Sequence, residues 1–215
     1  ERKLCRSGLI TTRGFRDILE LGRRTRPQAY GMKGVFHPII PRDLRLEVEE
    51  RLDATGEIIK PLDETAVSEA ATRLLKMGCE SVIIHFLHAY ANPSHEWAVR
   101  DRITEHMPDM LVSLSSDVSP KFREYERTST TVANSYIKPA VTRYLGHLQG
   151  ALGDQGFRND LFIMQSNGGL VSPDFAREYP IRIVESGPAA GVLMCGDVAA
   201  EEGAHQVLTF DMGGT

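Results

Sequence analysis

VLTFDMGGT, residues 207–215, closes the chain. Its first five residues, Val207 to Asp211, have the β-branched and aromatic content of a buried strand, and a carboxylate stands where that strand would end. Gly213 and Gly214 let backbone N–H groups approach an anion with no Cβ in the way, Thr215 adds a hydroxyl, and Asp211 can hold a hydrated magnesium ion. D-x-G-G-T is a short pattern, however, and a tight glycine turn between two hairpin strands also accounts for it.

The residues upstream weigh toward the anion. Glu185-Ser186-Gly187-Pro188-Ala189-Ala190-Gly191 places Ser186 to cap a helix over Pro188 to Ala200, with the proline near its first turn. Free N–H groups at that helix start would point at the same ligand as the glycine loop, although small residues such as Gly187 equally serve close packing. Leu161 to Ser166 (LFIMQS) reads as a strand ending in Asn167-Gly168-Gly169, whose amides and carboxamide can line the same cleft or simply form a turn. Ile181 to Ser186 (IRIVES) reads as a further strand. The acidic residue, small-residue helix and strand ending in D-x-G-G-T together resemble the actin, sugar-kinase and heat-shock chaperone ATPases. That resemblance implies part of a ribonuclease H-like α/β fold, with a mixed sheet and flanking helices, in which the loop holds the phosphates of ATP and the helix bridges two lobes.

The earlier chain has the same α/β rhythm. Ser7 to Thr12 (SGLITT) reads as a strand, with Thr12 placed to cap a helix from Gly14 to Gly22. Leu46 to Leu62 alternates around Ala54-Thr55-Gly56, the pattern of an antiparallel hairpin. Asp63 caps a helix from Glu64 to Met77 that buries Val67, Ala70, Ala71, Leu74 and Leu75, and Gly78 ends it. Ser81 to His88 (SVIIHFLH) is too continuously apolar for a half-exposed strand and reads as a central parallel one. A helix from Ser94 to His106 and a strand from Met110 to Ser115 complete a doubly wound pattern. Lys121 to Leu152 reads as two long helices separated at Lys138-Pro139.

Six segments then identify a family by resemblance: SGLITTRGFRDILELGR (7–23), LHAYANPSHE (87–96), SSDVSPKFREYERTSTTVANSYIKP (115–139), MQSNGGL (164–170), ESGPAAG (185–191) and TFDMGGT (209–215). Their order and spread resemble the A subunits of the hydantoinase/oxoprolinase family, related to the acetone and acetophenone carboxylase subunits. The resemblance implies that residues 1–114 are the later part of the family's N-terminal region and 115–215 the beginning of its main domain. It implies that ATP phosphorylates a cyclic amide oxygen, or bicarbonate in the carboxylase relatives, so that an unreactive carbonyl becomes open to attack. Asp211 would then bind Mg2+ or Mn2+, and Gly213, Gly214 and Thr215 would cradle phosphate beside Ser186, Gly187, Asn167, Gly168 and Gly169. A B-type partner subunit and an oligomeric assembly are also implied. Family members carry an earlier D-x-G-G-T loop, which does not precede Glu1, so the chain is expected to be a fragment inactive by itself. A sugar or acid kinase, or a non-enzymatic chaperone or reactivase, is the competing class.

Other candidates are less specific. Arg13 and Arg16, with Thr11 and Thr12, stand at a strand-to-helix junction that can receive an anionic substrate or be capped and paired at the surface. Arg123 to Arg127 is dense in charge, which favours an exposed, salt-bridged helix face, with a substrate role for Arg127 as the alternative. The hydroxyl run Thr128 to Thr131 suggests a bend or a buried polar contact. His85 and His88, three apart on one strand, would point to opposite faces and cannot share a metal. With 25 basic against 29 acidic residues and a net charge of -4, nothing favours nucleic acid or an anionic membrane. Cys5, Cys79 and Cys195 lack metal or redox spacing, no run is long enough to cross a membrane, and a cytoplasmic location is expected.

Overall fold

A computed structural model describes residues 5–23, 30 and 37–212. The chain divides into two compact units, one ending at Pro139 and the other beginning at Ala140. The first is built on a four-stranded sheet in the order β2-β1-β5-β6, from β1 (Ser7–Thr12), β2 (Arg45–Val48), β5 (Ser81–His85) and β6 (Leu111–Leu114). Every pairing in this sheet is parallel, with Leu9 opposite both Arg45 and Ile83, and Ile83 opposite Ser113. Among the described residues, antiparallel pairs occur only in two separate two-stranded sheets.

β5 is buried along its whole length because helices cover both faces. On one face lies α2 (Glu64–Lys76), started by the Asp63 carboxylate, which accepts from the Ala66 N–H at 3.0 Å. Its stripe Val67, Ala70, Ala71 and Leu74 is buried, whereas Leu75, expected with them, turns to the exposed side, and the helix lies so close to β1 that a Cβ on Gly8 would stand 2.7 Å from the Leu74 methyl carbons. Gly78, at φ 79, ends the helix in the conformation glycine favours. α3 (Ser94–His106) packs beside α2 and against β6. The opposite face meets the first half of α5 (Glu124–Asp154), where the Ser135 hydroxyl donates to that of Ser81 at 3.0 Å.

Several expectations are corrected. The hairpin over Leu46–Leu62 is only partly formed. Arg45–Val48 joins the main sheet as an edge strand parallel to β1, and only β3 (Arg51–Leu52) and β4 (Ile58–Lys60) pair antiparallel, around Asp53 and Gly56. Burial of Val48 against the core outweighs a purely local pairing. The helix over Gly14–Gly22 shrinks to α1 (Ile18–Leu21), and Thr12 does not cap it; its hydroxyl is spent on Glu50 and on the Leu87 N–H. The break at Lys138-Pro139 is absent: α5 runs through Pro139, which removes one backbone donor while buried contacts persist on both sides, at Ser135 and Leu145. Short α4 (Ser115–Val118) follows β6 directly.

In the second unit, β7 (Ile163–Met164) and β8 (Leu170–Val171) pair antiparallel across Asn167-Gly168-Gly169, shorter than the strand expected over Leu161–Ser166. α6 (Pro173–Glu178) follows, started by the Ser172 hydroxyl. The strand expected over Ile181–Ser186 is instead a 3-10 turn, Pro180–Ile183, leading into α7 (Ser186–Glu201). Pro180 at its start fixes a helical φ, and the segment makes one ladder-like bond, from the Ser166 N–H to the Arg182 carbonyl at 2.7 Å. Val207–Asp211 forms no strand. Leu208 and Phe210 are exposed, and no described residue pairs with that segment, so the backbone bonds that would make it a strand are lacking. No helix among the described residues is long and apolar enough to cross a membrane.

Candidate functional site

The residues expected to hold phosphate are partly assembled. In the second unit the Ser166 hydroxyl accepts from the Glu185 N–H at 3.0 Å, and a Cβ on Gly168, at φ 85, would stand 3.0 Å from Leu193 of α7. Ser166 therefore stands at the beginning of the small-residue helix, and the Asn167-Gly168-Gly169 turn that follows adjoins its middle at Leu193. Asn167 spends its side-chain oxygen on the Gly169 N–H at 3.0 Å, as a turn does. Ser186 is not the cap: it lies inside α7, and Glu185, which precedes the helix, makes no side-chain cap bond. A Cβ on Gly187 would meet nothing within 4 Å, so packing among the described residues does not require glycine there. Asp211 is exposed on the irregular segment after α7, and Gly213, Gly214 and Thr215 lie outside the described residues.

A second concentration of polar groups lies at the carboxyl ends of β1, β5 and β6, where ligands bind in parallel α/β sheets. Arg127, 1% exposed, is its centre. Its five N–H bonds are all engaged. Nε donates to Ser115 Oγ at 3.0 Å, one terminal nitrogen to the Lys121 carbonyl at 3.2 Å and Glu124 Oε1 at 3.0 Å, and the other to the Phe86 carbonyl at 2.7 Å and to Glu124 Oε2. His85 Nε2 stands 3.0 Å from the same Glu124 oxygen. Behind them the buried Glu96 carboxylate accepts from the Phe86 N–H, the Ser115 hydroxyl and the Ser116 N–H at 2.6–2.9 Å, and buried Glu50 pairs with His95 at 2.9 Å. Thr11 and His85 are register partners on adjacent strands, and Thr11 Oγ1 and His85 Nδ1 are buried without a hydrogen-bond partner. The two non-glycine residues with positive φ among the described ones, His88 (61°) and Arg123 (83°), both flank this cluster.

Arg127 thus occupies neither of its expected places. It is no exposed charge, and its saturated guanidinium has no N–H left for a substrate. Arg13 pairs with Glu49, and the Gly14 N–H meets the Glu47 carboxylate at 2.7 Å, so carboxylates of the chain itself fill the junction where an anion was expected. Arg16 lines a cavity of about 320 Å³ with Arg73, Glu47 and Glu69. Thr128 and Thr131 make the buried polar contact, bonding back to the Glu124 and Arg127 carbonyls. Sequence reasoning missed Glu50 and Glu96, whose one signal was an ionisable group beside an apolar strand or helix face, and placed Glu124 only in an exposed charged patch, whereas its side chain is largely buried. No cluster of three metal-ligating side chains occurs among the described residues.

Desolvation opposes ionisation of Glu124, but hydrogen bonds and charge from His85 and Arg127 outweigh it and hold the carboxyl below its ordinary value of 4.5. A carboxyl with a lowered folded-state pKa stabilises above the unfolded value and loses that contribution as pH falls through the folded one. Wild type is therefore expected to lose unfolding stability more steeply than Glu124→Gln below about pH 4.5, and equal acid slopes in urea melts would contradict the pairing.

A parallel sheet covered on both faces by helices defines an α/β protein. The profile of the hydantoinase/oxoprolinase N-terminal region matches residues 1–107, and that of hydantoinase/oxoprolinase matches residues 127–215. The chain belongs to the hydantoinase/oxoprolinase family. It is 43% identical to an uncharacterised protein of Methanocaldococcus jannaschii over 96% of this chain and 31% of that protein. It is 33% identical to the caprolactamase subunit alpha of Pseudomonas jessenii over 100% of this chain and 31% of the relative. The crystal structure of that ATP-dependent caprolactamase superposes with a TM-score of 0.87 at 32% identity, covering 99% of this chain and 31% of that one. A nucleotide-free acetone carboxylase structure gives 0.80 at 30% identity, covering 94% and 30%. The chain spans about a third of the length of these relatives.

Proposed function

We propose that the chain is part of an ATP-dependent enzyme subunit that opens cyclic amides of the hydantoin, 5-oxoproline or lactam type. The observation that carries this reading is the packing of the segment Ser166–Gly169 along α7, Ser166 at its start and Gly168 at Leu193, with open space at Gly187, because backbone amides freed of Cβ atoms suit a phosphate. Gly168, Gly169 and Gly187, with Asn167 and Ser186, would line that place; Asp211 would hold Mg2+ or Mn2+, and Gly213, Gly214 and Thr215 would add the loop of the D-x-G-G-T motif. ATP supplies a transferable phosphoryl group, which turns a poor amide electrophile into one that water can open. The chain's own contribution is alignment and charge neutralisation. Caprolactamase subunit alpha is named as one subunit of its enzyme, and a second, B-type subunit is the partner we assign here. We place the reaction in the cytoplasm, where ATP is available and free thiols such as Cys5, Cys79 and Cys195 persist.

Likeness to acetone carboxylase favours one second reading, ATP-dependent carboxylation of a ketone. The two separate by experiment. ATP turnover of the intact protein with its partner is expected to rise on adding caprolactam, hydantoin or 5-oxoproline; a rise only with acetone and bicarbonate selects the carboxylase. Turnover indifferent to all of them leaves a non-enzymatic ATPase.

A further inference from the structure

Two of the segments quoted above, 7–23 and 115–139, meet at a cavity that the phosphate chemistry does not use. It measures about 150 Å³ and is lined by Leu19 of α1, by Pro38 and Ile39, and by Tyr125, Ser129 and Val132 of α5. The helix repeat explains the last three. Steps of four and then three residues put them on one face of α5, beside the face that buries Thr128, Thr131 and Ser135.

The walls are apolar and their polar groups are few. Leu19 and Val132 are buried core residues, and the Ser129 hydroxyl donates to the Glu126 carbonyl of its own helix at 3.2 Å. The Tyr125 hydroxyl makes no hydrogen bond among the described residues. Its ring is nevertheless fixed, because the Gly22 backbone packs on it: a Cβ at Gly22 would stand 3.6 Å from Cε2 and Cζ. His37, which completes the lining, is exposed. The cavities beside α2 are of another kind, walled by Arg16, Glu47, Glu69 and Arg73 or by Glu69, Arg73 and Lys76, charged groups that a neutral ligand would not select.

Size and chemistry together narrow the ligand. A space of 150 Å³ is half the volume at which drug-sized pockets begin, and at interior packing density it holds roughly six to eight non-hydrogen atoms. That excludes a nucleotide. A small lactam matches: its methylenes form a hydrocarbon arc that apolar walls can cover, and its polarity is confined to one amide, which a phenol can meet by donating to C=O or accepting from N–H. The geometry points to this cavity as the site that takes the hydrocarbon arc of a small cyclic amide, with the Tyr125 hydroxyl bonded to the amide. The assignment names a substrate site for the function proposed above and rests on that reading.

Titration of the 215-residue chain with lactams of increasing ring size, followed by the Tyr125 ring resonances in NMR, tests it. Each methylene taken out of water is worth about fourfold in affinity, so caprolactam should bind about fifteenfold tighter than 2-pyrrolidinone, which has two methylenes fewer. Laurolactam, whose ring exceeds the cavity, should not shift these resonances. Tyr125→Phe keeps the ring under Gly22 and should weaken caprolactam about tenfold, the value of one net hydrogen bond. Ser129→Ile fills the cavity and should abolish the shift while leaving the melting temperature no lower than that of wild type. In the intact enzyme Tyr125→Phe should raise KM for caprolactam about tenfold with little change in kcat. Tyr125 resonances unmoved by caprolactam, affinity that keeps rising to laurolactam, or binding indifferent to both substitutions overturns the assignment. Should ATP turnover respond to caprolactam while neither substitution alters KM, the ATP-dependent reading stands and this site falls. Should caprolactam bind at Tyr125 while no cyclic amide stimulates turnover, the site stands and that reading falls.

Discussion

Arg127→Ala is expected to lower the unfolding free energy by about 3–5 kcal/mol, the range for removing one partner of a buried ion pair. Two losses combine. The Glu124 carboxylate, with only 17% of its side chain exposed, keeps its desolvation penalty but loses its bidentate partner. Ser115 Oγ and the Phe86 and Lys121 carbonyls lose a donor inside the fold, and each unsatisfied group carries its own cost. Arg127→Met restores the stem volume but none of the donors, so it should recover little. Glu124→Gln in the Arg127→Met background should cost less than the two single changes added together, because the orphaned charge is then gone. Urea unfolding at neutral pH measures all of this, and a loss below about 1 kcal/mol for Arg127→Ala, the range of an exposed pair, would show the clamp to be solvated.

This residue also marks where sequence reasoning stops. Arg127 and Glu124 stand three apart on a helix, and that spacing is the same for a surface pair and for a buried clamp. What separates the two is contributed by His85 at the end of β5, Phe86 just after it and Ser115 at the start of α4, which the local pattern cannot place opposite the helix. Elements whose signals are local were legible. The Asp63 cap, the Val67–Leu74 stripe and Gly78 delimit α2, Asn92-Pro93 announces α3, and the apolar run read as a strand over Ser81–His88 marks one covered on both faces, which ends three residues earlier, at His85. Elements decided by non-local pairing were not. Arg45–Val48 looks like half of a hairpin until β1 takes it in parallel, and Val207–Asp211 looks like a strand although no described residue pairs with it. The candidate phosphate site divides the same way. The neighbourhood of Asn167-Gly168-Gly169 and α7 could be inferred from order and composition, whereas the capping role given to Ser186 depended on a helix start that falls one residue earlier.

The second large effect concerns Asp211. If its carboxylate neutralises phosphate charge through a divalent ion, Asp211→Asn keeps the size and polarity of the side chain but removes the charge that such a hard cation requires. Because Asp211 is exposed on an irregular segment and supports no packing among the described residues, the substitution should leave the melting temperature of the chain unchanged. A loss of activity then cannot be blamed on unfolding. ATP turnover by the intact protein, measured with saturating Mg2+ and cyclic amide for wild type and Asp211→Asn, is the direct test. A fall of about 10²-fold or more in kcat with stability intact is the predicted result; turnover within a few-fold of wild type would mean that this carboxylate holds no metal and that the nucleotide is bound elsewhere.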